Sequence, residues 1–200
     1  MPLVLLASQR AVSLPEALRQ LIHCERSERH KRIIQNRMKA ARFPHHKDFA
    51  SFDYALCPVE QAKLQELASG EFTTAKAQNL ILIGGSGTGK THVASALGTS
   101  LIEAEKKVRF FNTVDLVNAL IKEEKEGKAG RLQKQLLAAD CVILDELGYI
   151  PFPKSGGAML FHLIGKLYET TSIILTTNLV FKEWVKFECV LTHCQLGQKP

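Results

Sequence analysis

Eight consecutive residues, Gly84-Gly85-Ser86-Gly87-Thr88-Gly89-Lys90-Thr91, fit the pattern G-x-x-x-x-G-K-[ST] and follow directly on the apolar run Leu80-Ile81-Leu82-Ile83. Glycines at this spacing let main-chain N–H groups close around a polyphosphate without obstruction by Cβ atoms. A helix beginning near Lys90 would aim the positive end of its dipole at the same anion. Lys90 is then placed to reach the β- and γ-phosphates and Thr91 to ligate Mg²⁺ through its hydroxyl. The assigned nucleotide-binding set is Gly84, Gly85, Ser86, Gly87, Thr88, Gly89, Lys90, Thr91 and the adjoining His92. A flexible glycine loop with a chance lysine is the plain alternative, and it does not account for the buried strand in front.

A second apolar run, Cys141-Val142-Ile143-Leu144, ends in Asp145-Glu146, some fifty-five residues after the loop. Acids at the carboxyl edge of a parallel sheet sit where nucleotides bind. Asp145 would hold Mg²⁺ through water, and Glu146 would act as general base toward the water attacking the γ-phosphate. A third run ends in Thr176-Thr177-Asn178, and an amide there could orient that water. Lys90, Glu146 and Asn178 form the candidate catalytic set, Thr91 and Asp145 the metal set. Tandem acids and a polar strand end, with no N-K-x-D guanine-reading motif, point to an ATPase of AAA+ type with ATP and Mg²⁺ as cofactors.

The elements needed to position these groups are legible as an alternation. Strands are predicted at 80–83, 108–112, 141–144 and 172–176. Helices are predicted from Lys90 to about Lys106, from Thr113 through the charged stretch to about Ala139, and at about 158–169. Short continuous apolar strands between helices imply a parallel sheet covered on both faces. The predicted fold class is α/β, a P-loop NTPase three-layer sandwich, preceded by a basic helical segment. That segment reads as helix from Pro15 to about Ala41, either unbroken or interrupted at the wholly polar Glu25–Arg32. The predicted division is a basic arm over 1–47, an ATP-binding core over 48–188 with a further helix at about 58–68, and an irregular tail over 189–200.

Charge separates the arm from the core. Between Arg10 and Lys47 stand ten Lys/Arg and three Glu, whereas the remainder is nearly balanced with sixteen basic and seventeen acidic residues. Such asymmetry suggests an arm that meets an acidic polymer, against the plainer reading of a solvated helix face. Five scattered cysteines without a C-x-x-C pair fit reduced thiols. The apolar stretch Leu3–Ala7 is too short for a membrane span, and a cytoplasmic, membrane-free protein is expected.

The stretches Asp145-Glu146-Leu147-Gly148-Tyr149-Ile150-Pro151-Phe152 and Ser155-Gly156-Gly157-Ala158-Met159-Leu160-Phe161-His162-Leu163-Ile164 resemble the signature of IstB-like ATP-binding proteins. The likeness continues through Leu167–Ser172, Thr177-Asn178-Leu179 and Glu183-Trp184, and upstream through Arg37–Pro44 and Ser51–Tyr54. The resemblance implies a helper ATPase that self-associates on DNA in an ATP-dependent oligomer and assists a transposase. It also implies largely backbone-directed contacts to double-stranded DNA, non-specific in sequence. Arg26, Arg29, Arg32, Arg37, Lys39 and Arg42 are the candidate contacts. Helicase loaders of the DnaC type share the core pattern and supply the alternative function, as does a non-hydrolysing ATP-gated DNA-binding module.

One departure bears on activity: the last arginine is Arg131, so an arginine finger of the AAA+ kind is not found after Asp145-Glu146. The expected consequence is Mg-ATP binding with impaired hydrolysis. Leu191-Thr192-His193-Cys194 resembles a family tail motif arriving early, as in an internally deleted or C-terminally shortened copy. The same shortening is expected to leave the strand near Ile173 unpaired.

Overall fold

The computed structural model describes residues 13–54, 59–73, 78–148 and 154–179. Four strands form one parallel sheet: β1 (Leu80–Ile83), β2 (Val108–Asn112), β3 (Cys141–Leu147) and β4 (Ser172–Thr177), in spatial order β1-β4-β3-β2. Helix α3 (Lys90–Glu103) follows β1, α4 (Thr113–Lys125) and α5 (Arg131–Leu137) lie between β2 and β3, and α6 (Lys154–Leu167) leads to β4. Before the sheet come α1 (Leu14–Ala41) and α2 (Gln61–Ala68).

Strand alternation divides the interior into two layers. Cys141, Ile143 and Ile174 face α3 and α2 with Leu64, Leu97, Leu101 and Ile102, whereas Val142, Leu144, Ile173 and Leu175 face Leu116, Leu136, Leu160 and Leu163 of α4–α6. Both faces of β3 and β4 are therefore buried, which is why their sequences are unbroken apolar runs. The α/β three-layer arrangement expected from the alternation is present. The expectation of an unpaired strand near Ile173 is wrong: β4 pairs with β1 on one side and β3 on the other. The crossover order, not the order along the chain, decides which strand is central.

Helix boundaries differ from the expectation in several places: α3 ends at Glu103 rather than near Lys106, and α6 spans Lys154–Leu167 rather than about 158–169. The predicted single helix from Thr113 to Ala139 is two, because Gly127 and Gly130 take positive φ of 68° and 90° and reverse the chain after Lys125. The Glu123 carboxylate accepts the N–H of Leu132 at 3.0 and 3.1 Å and caps the new start. The helix before the core begins at Gln61 rather than near Pro58, which itself lies outside the described residues.

Helix α1 is unbroken, and only its second half touches the core. Residues 18–32 are all exposed, while Ile34, Met38 and Ala41 pack against the α3 layer. Arg109 on β2 donates to the Ala40 carbonyl at 2.5 Å, and the Phe43 ring tilts onto Phe110 at 5.8 Å. Gly98 on α3 makes room for this: a Cβ there would lie 2.7 Å from Phe43 Cζ and 2.8 Å from Ile143 Cδ1. Gly98→Val is thus expected to overpack the junction by about 1–3 kcal/mol. A thermal melt of this variant at or above the parent midpoint would contradict that close approach.

Candidate functional site

The site forms at the carboxyl ends of β1, β4 and β3, where the chain leaves β1 in one direction and its neighbours in the other. Gly84 still donates to the Thr177 carbonyl at 3.3 Å, so the loop is anchored to β4 at its first residue. Gly87 and Gly89 take φ of 76° and 81°, a region in which side chains with a Cβ are strained. Gly89 is also the N-cap of α3 and supplies no side-chain acceptor to its first turn. The first N–H groups of α3 consequently face the loop with no cap competing for them.

Polar side chains converge on this concavity. Lys90 Nζ donates to the Gly85 carbonyl at 2.6 Å, and Thr88 Oγ1 donates to the same oxygen at 2.9 Å. Thr91 Oγ1 donates to Asp145, 2.9 Å from Oδ1 and 3.1 Å from Oδ2. Asp145 is only 5% exposed, and two further hydroxyls fix it. Thr176 Oγ1 donates to Oδ1 at 2.6 Å, and Thr113 Oγ1 donates to the Asp145 carbonyl at 2.7 Å. Glu146 is exposed at the tip, with φ of 60°. Asn112, at the end of β2, donates through Nδ2 to Glu146 Oε2 at 2.8 Å while its Oδ1 accepts the Val114 N–H at 3.0 Å and caps α4. Asn178 is exposed immediately after β4, on the same sheet edge.

The segment after α1 forms a wall beside the loop. Thr99 Oγ1 donates to the Lys47 carbonyl at 3.0 Å, and His92 Nε2 lies 3.1 Å from the Asp48 carbonyl. The Phe52 ring meets His92 at 5.0 Å and Tyr54 at 5.2 Å, both edge-on. Asp48 is held below the usual carboxyl range by the Ser51 hydroxyl and then the Ser51 N–H, with smaller help from His46 and His92. His92 thus touches the wall rather than the phosphate loop itself, and Phe52 stands 3.6 Å from where a Gly89 Cβ would be.

A hydroxyl and a carboxylate in contact beside a glycine loop are a donor set suited to Mg²⁺. That ion takes few protein ligands and keeps waters and phosphate oxygens for the rest. No group of three or more His, Cys, Asp or Glu that could hold a metal occurs among the described residues.

The arginines and lysine expected to meet DNA all lie on α1 or at its C-cap. Arg26, Arg29, Arg32, Lys39 and Arg42 are exposed. Arg37 is not free: its guanidinium donates to the Glu105 carbonyl, in the turn after α3, while His30 Nδ1 lies 2.6 Å from Glu105 Oε1. At 100° per residue, Arg32 and Lys39 fall about 140° around the helix from Arg26 and Arg37. The charge therefore wraps part of the cylinder instead of lining one stripe. No described helix is long and apolar enough to cross a membrane.

Thr176, Thr113 and Asn112 escaped the sequence reading. The first two look like ordinary strand and helix-start threonines, and Asn112 like the last residue of a strand. Their contacts to the acids span 30 to 34 residues, and a linear motif carries no trace of them.

Comparison with known proteins agrees with this geometry. A protein of insertion sequence IS21 from Pseudomonas aeruginosa, named for ATP binding, is 35% identical over 179 residues, covering 89% of this chain and 67% of its own length. A counterpart of insertion sequence IS5376 from Geobacillus stearothermophilus is 34% identical over 179 residues, covering 89% of this chain and 71% of its own. Among solved structures, the DnaC helicase loader superposes with TM-score 0.58 at 23% identity, over 78% of this chain and 89% of that one. AMPPCP-bound DnaA from Aquifex aeolicus gives TM-score 0.58 at 18% identity, over 74% of this chain and 49% of that one. These two likenesses speak to the fold alone. The profile of the family described as IstB-like ATP binding protein matches residues 2–194, and the chain belongs to that family.

Proposed function

We propose that this chain is an Mg-ATP-dependent, DNA-associated helper ATPase that assists a transposase. The observation that carries the nucleotide part is the Thr91–Asp145 contact beneath a glycine loop whose helix start is uncapped. On this reading Lys90 leaves the Gly85 carbonyl for phosphate oxygens, and the N–H groups of residues 85–91 enclose the β-phosphate. Thr91, through its hydroxyl, and Asp145, through water, would hold Mg²⁺, which would supply positive charge to offset that of the phosphate oxygens. Glu146 accepts the proton of the attacking water. Asn112 holds one Glu146 oxygen, leaving the other to act as base, and Asn178 orients the water from β4. Calorimetry with ATP and Mg²⁺ tests the binding step; no heat and no thermal shift would remove the basis of the reading.

Hydrolysis by residues 1–200 is expected to be feeble. An arginine finger contributes on the order of 10³–10⁵ in turnover, about 4–7 kcal/mol of barrier, and no arginine follows Arg131. Turnover at the rate of a finger-bearing ATPase, with or without duplex DNA, would contradict this.

The DNA part rests on α1 and its C-cap, where Arg26, Arg29, Arg32, Lys39 and Arg42 are exposed. A helix of 28 residues extends about 42 Å, long enough to follow a duplex backbone over several phosphates. Nothing in this set resembles a base-reading pair, so contacts to phosphate and little sequence preference are the expectation. Self-association into an ATP-dependent oligomer belongs to the same reading, and light scattering with and without Mg-ATP tests it.

A further inference from the structure

Asp145 and Glu146 are adjacent in sequence, and in a regular strand their side chains would point to opposite faces of the sheet. β3 is not regular there. Leu144 pairs with Leu175 and Leu147 with Thr177, so two β3 residues stand opposite a single β4 residue, Thr176. This is a β-bulge, a device that re-aims a side chain at a sheet edge. It places Glu146 at φ 60°, a left-handed conformation that is unfavourable for a residue with a Cβ. Something must hold it.

The Thr176 hydroxyl does so with both of its capacities. Oγ1 accepts the Glu146 N–H at 2.9 Å and donates its own proton to Asp145 Oδ1 at 2.6 Å. The side chain is 1% exposed, so neither bond is diluted by water. One oxygen thus links the main chain of the candidate base to the carboxylate of the candidate metal ligand. We infer that Thr176 is a positioning residue for ATP hydrolysis, a clamp that sets the Asp145 carboxylate and the Glu146 bulge in one fixed relation. Valine would fill nearly the same volume but offers no hydroxyl: the Glu146 N–H would lose its Thr176 acceptor, and Asp145 Oδ1 would keep Thr91 but lose the shorter of its two donors. The inference rests on the ATPase reading above.

The test compares the full chain with Thr176→Val and Thr176→Ser, measuring single-turnover ATP cleavage under excess protein, ATP affinity with Mg²⁺, and amide hydrogen exchange at Glu146. For the valine variant, cleavage is expected to fall on the order of ten-fold or more, while ATP affinity stays within about three-fold. Serine restores cleavage to within about three-fold of the parent, because it returns the hydroxyl. In the parent the Glu146 amide exchanges slowly, and in the valine variant it exchanges fast. A folded valine variant cleaving at the parental rate overturns the clamp. So does a serine variant that folds and fails to restore the rate. If valine prevents folding, a parental Glu146 amide that exchanges freely overturns it, and a protected one with serine rescue supports it. A parent that binds no Mg-ATP overturns the ATPase reading instead, which calorimetry reports separately.

Discussion

Lys90→Ala is expected to abolish the stabilisation of this chain by Mg-ATP. At ligand one hundred times its dissociation constant, binding to the native state alone adds about 2.7 kcal/mol, a midpoint shift of about 5–11 °C for a domain of this size. Removing the ammonium deletes charge-assisted hydrogen bonds worth about 1.5–3 kcal/mol each, which lowers affinity on the order of 10²-fold or more. The empty protein offers an internal control. Lys90 opens α3, and a cation at a helix N-terminus interacts unfavourably with the dipole. Its loss should therefore leave the ligand-free midpoint unchanged or slightly higher. An undiminished shift with nucleotide in the alanine variant would mean that the triphosphate binds elsewhere.

The second large effect is on duplex binding as salt rises. Six of the arm's basic residues are candidate contacts from the sequence; the structure withdraws Arg37, whose guanidinium is bound to the Glu105 carbonyl. Five phosphate contacts predict a slope of about −4.5 in log K against log salt. Affinity should then fall about 500-fold between 50 and 200 mM salt. Fluorescence anisotropy with a labelled duplex reads this directly, and Arg29→Ala should reduce the slope by about 0.9. A slope near zero would separate α1 from DNA altogether, whatever the nucleotide result.

The phosphate loop and the acidic strand end were readable because each is a contiguous word whose chemistry needs neighbouring residues. So were the four strands, since burial on both faces removes polar interruptions. The centre of the sheet was not readable. Ile173 was expected on an open edge, yet β4 lies between β1 and β3, because strand order is decided by where α3 and α6 cross. The continuity of α1 stayed open for a different reason. Its polar middle, Glu25–Arg32, has no apolar face to announce a helix; (i, i+3) pairs such as Lys31–Glu28 at 3.0 Å help bridge it. Asn112 and Thr176 were invisible because their importance arises from a one-residue slip in strand pairing.

Helix α3 starts at the phosphate loop and ends two residues before Glu105, the residue gripped by His30 and Arg37 of the basic arm. Every residue from Val93 to Ile102, apart from Ser100, is buried. A rod packed so closely along its length has little freedom to bend or unwind locally. Tilting its first turn moves its last, so the arm's seat and the nucleotide's cradle are mechanically one part. Whatever factor a triphosphate imposes on duplex affinity through that part, the duplex must impose on triphosphate affinity in return.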